Sequence, residues 1–172
     1  RSFLCTFEIF ISLVKHCLNF FSCGKHKSIC IFFCLVYKLL KCACKAADHV
    51  EQVFVKEQSC AFFTPGHEEI ELALVKMYRT TGEKRFLDLA KHFVDIRGTE
   101  PNYFETVEKI PHERLINIQS HKPAREQTEA DGHAVRALYL YCAMADIAIE
   151  TGDQELMANV YKIFDNATQK RM

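Results

Sequence analysis

The stretch TPGHEEIELALVKMYRTTGEKRFLDLAKHFVDIRG, residues 64–98, decides the fold. It holds two helical patterns that Gly82 separates. The first is apolar on nearly every side across Ile70–Tyr78, and such a helix requires burial all round. The second, over 83–97, separates one apolar stripe from one charged face, which indicates a helix with one dry and one wet side. Together they predict an αα-hairpin.

The start of the first helix has its own signals. Thr64 is a suitable N-cap and Pro65 suits the first helical position, so the pattern predicts a helix over about 65–80. Three acids, Glu68, Glu69 and Glu71, would then lie at its positive end, where the helix dipole favours negative charge.

The hairpin pattern returns 70 residues later. Residues 134–149 are apolar except for Arg136 and Asp146, and a second amphipathic pattern follows Gly152. Aligning the two glycines matches Phe86 with Leu156 and pairs the two amphipathic stripes position by position. The residues predicted to face inward in the last helix are Leu156, Met157, Val160, Ile163, Phe164 and Ala167.

An all-buried helix that alternates with a one-sided helix indicates an inner and an outer ring. Two all-α architectures fit, a closed (α/α) toroid and an open α-solenoid. The 66–70 residue spacing exceeds that of common solenoid repeats, which run to about 47 residues, so the toroid is favoured. Residues 99–127 separate the hairpins and lack an apolar period, and loops of this length are often functional.

The first part of the chain differs from the rest. Residues 1–37 are rich in Cys and Phe, with poor periodicity, and we interpret them as a segment outside the domain; a membrane-proximal segment and an ordinary buried helix are the alternatives. A helical pattern near 38–55 opens the domain assigned to 38–172. The chain begins with Arg1 and stops directly after a helical pattern, so we expect a fragment of a longer protein.

Composition narrows the function. The formal net charge is zero, so nothing global indicates nucleic acid, and no membrane association is expected for 38–172. Eight of the nine cysteines lie in the first 60 residues, without the spacing of a disulfide framework or a structural zinc site. This usage slightly favours a reduced, cytoplasmic setting. Phosphate-binding loops are absent from the sequence.

Two glycine–histidine pairs are the candidate site residues. Gly66-His67 and Gly132-His133 each precede an apolar inner helix. The N-termini of inner helices face one end of a ring, so both imidazoles are expected at one cavity mouth, beside backbone N–H groups that can donate to hydroxyl groups. The alternative is that each histidine caps or packs against its helix.

Residues 121–127 add a second candidate group. Arg125, Glu126 and Gln127, with His121 just before them, offer donors and acceptors that suit a polyhydroxylated ligand. A solvated charged loop that caps the helix is the alternative. Cys142 falls in the apolar stretch of an inner helix, which predicts an inert core thiol.

The blocks PGHEEIELALVKMYRTTGEKRFLDLAKHFVDIRG (65–98) and HKPAREQTEADGHAVRALYLYCAMADIAIETGD (121–153) resemble the catalytic (α/α)6 barrel of glycoside hydrolase family 127, the β-L-arabinofuranosidases. The resemblance runs from about Leu39 to Met172. It implies part of an (α/α)6 barrel, an incomplete toroid, from retaining enzymes that release L-arabinofuranose from the non-reducing end of glycans. An arabinofuranoside-containing glycan is therefore the partner expected of the full-length protein.

The resemblance also implies which residues this chain carries. Pro65, Gly66, His67 and His133 match positions that bind the sugar. The family uses a cysteine thiolate held at zinc and a glutamate acid/base, and these lie beyond the end of this chain, so no catalytic or zinc-ligating residue is assigned here. A helical-repeat interaction module without catalysis is the alternative function.

Overall fold

A computed structural model describes residues 26–59 and 63–170, with side chains from residue 34 onward. Within these ranges the chain is helical, without a β-strand. The α-helices are α1 (His26–Glu51), α2 (Ile70–Thr81), α3 (Lys84–Ile96), α4 (Tyr103–Thr106), α5 (His112–Asn117), α6 (Ala134–Thr151) and α7 (Gln154–Lys170). A π-helical turn spans Gln52–Lys56, and a 3₁₀ turn spans Ala124–Glu126.

The chain divides into two compact units, residues 1–50 and 51–172. Most of α1 belongs to the first unit. Ala43 and Ala47 are buried one turn apart on this helix, whereas Leu35 and Tyr37 are more than half exposed. The helix begins at His26, earlier than the 38–55 expected from the apolar pattern, and residues 1–25 lie outside the described part. None of the described helices is long and apolar enough to cross a membrane.

The second unit contains the two predicted hairpins. α2 packs on α3, and α6 packs on α7. Each pair is joined through a left-handed glycine, Gly82 in the first and Gly152 in the second, whose N–H donates to the carbonyl four residues earlier. The all-α hairpin repeat expected from the sequence is confirmed.

The two inner helices, α2 and α6, run parallel, as two ion clusters show. Near their C-terminal ends Arg79 contacts Asp146 at 3.1 Å and Glu150 at 2.6 Å. Near their N-terminal ends Arg136 contacts Glu68 at 2.8 Å. Both inner helices therefore begin at the same end of the unit, as the ring interpretation requires.

The core lies between the hairpins, where α2 packs against α6 and α3 also reaches α6. Its apolar side chains come from all four helices and include Leu74, Val75, Phe86, Phe93, Leu140, Met144, Ile147, Leu156 and Ile163. Burying a side chain of this size contributes roughly 1.5–3 kcal/mol of hydrophobic free energy relative to exposure. The apolar periodicity thus located the core, but the expectation that the inner helices are buried all round was wrong for α6, where Val135, Leu138 and Ile149 are more than half exposed.

Three further expectations were wrong. Helix α2 begins at Ile70, so Thr64 is not its N-cap and Pro65 not its first residue, because side chains from α3 and α6 hold residues 65–69 in turns. Phe164 is 62% exposed rather than inward-facing. Cys142 is exposed rather than a core thiol, because no described residue covers that face of α6.

The long connection between the hairpins is partly ordered into short elements. It contains α4, α5 and the 3₁₀ turn, which packs against α3 and α7. Asn102 caps α4 by accepting from the Phe104 N–H, and its amide donates to the Ser120 carbonyl. The connection is therefore tied to itself and to α3, and it does not form an open loop.

Candidate functional site

The segment Pro65–Glu69 precedes α2 and is bound by Arg97, the residue that directly follows α3. The Arg97 side chain is fully buried. Its Nη2 donates to the Pro65 carbonyl at 2.9 Å, and its Nη1 donates to Glu68 Oε1 at 3.1 Å. Nη2 also contacts Glu71 Oε1 at 3.3 Å. One guanidinium thus binds the segment at its backbone and at a side chain.

Arg136, in the first turn of α6, holds the same segment from the side. Its Nε donates to Glu68 Oε2 at 2.8 Å, and its Nη2 donates to the Gly66 carbonyl. The guanidinium groups of Arg97 and Arg136 therefore both bind the Glu68 carboxyl group, and Arg97 also binds that of Glu71. Burial raises the pKa of the second carboxyl, Glu71, and the positive charge of Arg97 opposes that rise. We call Glu68, Glu71, Arg97 and Arg136 the ion cluster.

His67 lies within this held segment, with about a third of its side chain exposed. Its ring centroid is 6.1 Å from that of Tyr139 on α6, at a tilt of 56°. Its Nδ1 is 3.9 Å from Glu69 Oε2. His67 is thus partly accessible to a ligand and oriented by neighbours on two sides.

His133 occupies the N-cap position of α6 and is exposed. Its side chain makes no capping bond to the helix, so the first N–H groups of α6 remain available to solvent or to a ligand oxygen. Because Arg136 and Tyr139 of the same helix contact residues 66–68, the structure brings the beginning of α6 and the His67 segment together.

The glycine before His133 is required by the protein itself. Gly132 has φ of +82°, and a Cβ there would come within 2.2 Å of the Ile116 carbonyl oxygen. Close approach of the chain to α5 therefore explains this glycine. A Cβ at Gly66 would meet nothing within 4 Å.

The second candidate group, residues 125–127, is engaged in the fold. Arg125 contacts Asp95 at 2.6 Å and Asp153 at 2.8 Å. Gln127 is buried, and its amide donates to the carbonyls of Gln119 and Lys122. Glu126 is exposed. The two aspartates therefore orient Arg125.

His121, four residues before Arg125 in the same connection, is half-buried. Burial lowers its pKa below the ordinary histidine value, and the neighbouring charge of Lys122 lowers it further. Its ring centroid is 6.4 Å from that of His112, nearly perpendicular to it. This pair belongs to the 99–127 connection.

The described residues form no cluster of side chains suited to a metal ion. No three of their His, Cys, Asp or Glu side chains converge in a way that could hold a metal ion. The donors present therefore do not fit the zinc that the family resemblance implies. Glu68 and Glu71 lie close together on Arg97, but both are fully buried, so they cannot reach a glycosidic bond.

Sequence reasoning missed the ion cluster, although one signal for it was present. Arg136 and Asp146 are the two charged exceptions in the apolar stretch 134–149 of α6, and each pairs with α2 or the segment before it. A charge within an apolar stretch is costly to bury unless it is paired, so such exceptions mark contacts between inner helices. For Arg97 no comparable signal exists, since it ends a helix whose other face is charged.

Comparison with known proteins settles the family. The model of the β-L-arabinofuranosidase, GH127 catalytic domain matches residues 34–172. The chain belongs to glycoside hydrolase family 127. A curated relative in this family, the non-reducing end β-L-arabinofuranosidase of Bifidobacterium longum subsp. longum, is 36% identical over 143 residues. That alignment covers 77% of this chain and 22% of the relative, so the chain spans about a fifth of that enzyme.

Solved GH127 structures share the fold of this chain. A β-L-arabinofuranosidase from Geobacillus stearothermophilus T6 matches with a TM-score of 0.67 at 38% identity, over 76% of this chain and 22% of that one. A second GH127 β-arabinofuranosidase matches with a TM-score of 0.56 at 38% identity, over 79% of this chain and 19% of that one. The helices described above are therefore part of a GH127 (α/α)6 barrel.

Proposed function

We propose that this chain forms part of the sugar-binding rim of a retaining glycoside hydrolase that acts on non-reducing-end β-L-arabinofuranosides. The observation that carries the proposal is the meeting of two segments at one end of the parallel inner helices. Residues 65–67 and the first turns of α6 contact each other there, and each holds a partly or fully exposed histidine. The GH127 relatives, named for β-L-arabinofuranosidase activity, supply the substrate class.

The two histidines would bind sugar hydroxyl groups. A neutral imidazole carries one donor and one acceptor, and a furanose hydroxyl can satisfy both. His67 and His133, together with Pro65 and Gly66, form the proposed contact surface. Arg125 and Gln127 would act indirectly, by holding the connection that packs beside α3.

The same proposal assigns the chemistry to residues outside this chain. Retaining hydrolysis requires a nucleophile that reaches the anomeric carbon and an acid/base group that reaches the glycosidic oxygen. Among the described residues the buried carboxylates are paired with arginine, and Cys142 lies on an exposed face of α6. The chain by itself should therefore bind a furanoside without cleaving it. Membership of GH127 favours this function over a helical-repeat interaction module.

Titration of the ¹³C,¹⁵N-labelled chain with methyl β-L-arabinofuranoside tests binding. We expect shifts at His67 and His133, and roughly tenfold weaker affinity in His67→Ala and His133→Ala, the loss of about one hydrogen bond each. Lys84→Ala, an exposed change at the opposite end of α3, is the control and should bind as the parent does. An equal loss in all three variants, or no shift at either histidine, would contradict the proposal.

Incubation with an aryl β-L-arabinofuranoside tests the absence of catalysis. The expected result is no arabinose release above the rate without protein. Release that is lost in a His67→Ala variant would show that the chain carries catalytic groups after all.

A further inference from the structure

The ion cluster binds the residues directly before and directly after His67. Arg136 binds the carbonyl of Gly66, the residue before His67, and the carboxylate of Glu68, the residue after it. Arg97 binds the carbonyl of Pro65 and the other oxygen of Glu68. The backbone before His67 and the carboxylate after it are thus bound by Arg136 of α6 and by Arg97, which directly follows α3.

Stability alone does not account for this arrangement. Four charged groups, three of them fully buried, carry a desolvation cost that their mutual attraction only partly offsets. Well-packed apolar side chains of similar volume are often as stabilising. Apolar side chains could not, however, bind the carbonyls of Pro65 and Gly66. The ion cluster therefore supplies directed hydrogen bonds to these two carbonyls, which apolar packing could not supply.

The chemistry of arginine suits the task. Its guanidinium is planar and presents donors at fixed angles, so Arg136 can bind a carbonyl and a carboxylate two residues apart at once. A lysine ammonium is a single point charge on a flexible stem, and it cannot hold both acceptors in a fixed relation.

We propose that Arg136 is a positioning residue for the His67 ring, with Arg97 as the buried anchor of the same segment. This inference rests on the proposed function, because it gives His67 a ligand to be positioned for. Tyr139 completes the arrangement, since it lies three residues after Arg136 on α6 and its ring contacts that of His67.

A matched control exists at the other end of the same helix pair. Arg79 joins α2 to α6 through Asp146 and Glu150, and it too contacts two oxygen acceptors. Arg79→Met therefore removes the ion pairs of Arg79 between the same two helices, and it changes no contact of residues 65–69. A general weakening of α2–α6 packing would follow from either change, whereas loss of His67 position would follow only from the change at Arg136.

The first measurement needs no ligand. In the full 172-residue chain, NMR would record the nuclear Overhauser effect between the His67 and Tyr139 rings and the line widths of the His67 signals. We expect the effect to be lost and the lines to broaden in Arg136→Met, and to remain in Arg79→Met. Arg136→Lys, which keeps the charge, should resemble Arg136→Met, because the loss is one of geometry.

The second measurement is the affinity for methyl β-L-arabinofuranoside. Arg136→Met should bind roughly tenfold more weakly and Arg79→Met within about twofold of the parent. If the parent chain binds no furanoside, the proposed function fails, while the ring measurement still decides whether Arg136 positions His67.

Two results would overturn the inference. One is an unchanged His67–Tyr139 effect in both Arg136 variants. The other is an equal loss in Arg79→Met, which would make Arg136 an ordinary packing contact. Should Arg136→Met fail to fold, Arg136→Lys and Arg136→Gln provide the same comparison with Arg79→Met.

Discussion

Arg125 illustrates how a residue with the chemistry of a sugar ligand can serve the fold instead. Its two aspartate partners come from different helices, Asp95 near the end of α3 and Asp153 just before α7. Asp153 also caps α7 by accepting the Leu156 N–H. The hydrogen bond from Arg125, and then that from Leu156, lower the pKa of Asp153. Arg125 therefore joins the connection to both outer helices.

Arg125→Met should lower the free energy of unfolding by about 1 kcal/mol at pH 7, because the aspartates are only partly shielded from solvent. The Asp153 pKa is lower in the folded state than its ordinary value of about 3.8, so its pairing stabilises the fold above that pH. The difference between variant and parent should therefore shrink as the pH falls through the folded pKa. Urea unfolding at several pH values measures it.

Glu126→Gln is the control for this prediction, since it changes a charge on the next residue, which is exposed. It should unfold within about 0.5 kcal/mol of the parent at every pH. A pH-independent loss in Arg125→Met would mean that apolar packing of the arginine stem, and not its pairing with Asp153, is what stabilises the fold.

At the scale of elements, two glycines with the same backbone conformation have different surroundings. Gly132 precedes α6 with φ of +82°, and Gly152 follows it with φ of +71°. A Cβ at Gly132 would overlap the Ile116 carbonyl, whereas one at Gly152 would meet nothing within 4 Å. Substituting each glycine by alanine therefore distinguishes the free-energy cost of a left-handed backbone, which both share, from that of a steric clash, which only Gly132 has.

Gly132→Ala should destabilise the chain by about 3 kcal/mol or more, because strain and clash combine and α5 must shift. Gly152→Ala should cost only about 1 kcal/mol, the left-handed strain alone. Urea unfolding of both variants measures the difference. Equal losses would mean that the backbone near Ile116 moves freely, and that Gly132 does not fix α6 against α5.

The elements that could be predicted from sequence were those with a local cause. The hairpins followed from apolar periodicity and from Gly82 and Gly152, and the repeat placed them correctly. The start of α2 was wrong because its cause is distant in sequence: Arg97 and Arg136 reach residues 65–68 from α3 and α6. No rule for helix caps contains that information.

The same reasoning applies to the candidate site. The histidine pairs were assigned because they recur and because they match the family blocks, and their role in sugar binding stays a prediction. The residues that hold His67 could not, since their contacts join residues up to 70 positions apart. Arg125 was assigned from side-chain chemistry alone, and its partners, Asp95 and Asp153, are neighbours only in the folded chain.

At the scale of the whole molecule, α6 presents an apolar surface to solvent. Four of its side chains, Val135, Leu138, Cys142 and Ile149, are exposed and lie within about 60° of one another around the helix axis. The residues of α6 that face α2, α3 and α7 are buried. No described residue covers the exposed stripe, and contiguous apolar surfaces of this kind promote association.

We therefore expect the chain to self-associate through the α6 stripe. Sedimentation velocity at increasing protein concentration should show a rising weight-average sedimentation coefficient for the parent. Leu138→Glu places a charge in the stripe and should weaken association at least roughly tenfold, since burying an unpaired carboxylate is costly. Val107→Glu makes the same change at an apolar residue that directly follows α4 and is 63% exposed, and it should associate as the parent does. If Leu138→Glu also associates like the parent, copies of the chain meet through a different surface, and the α6 stripe stays exposed to solvent.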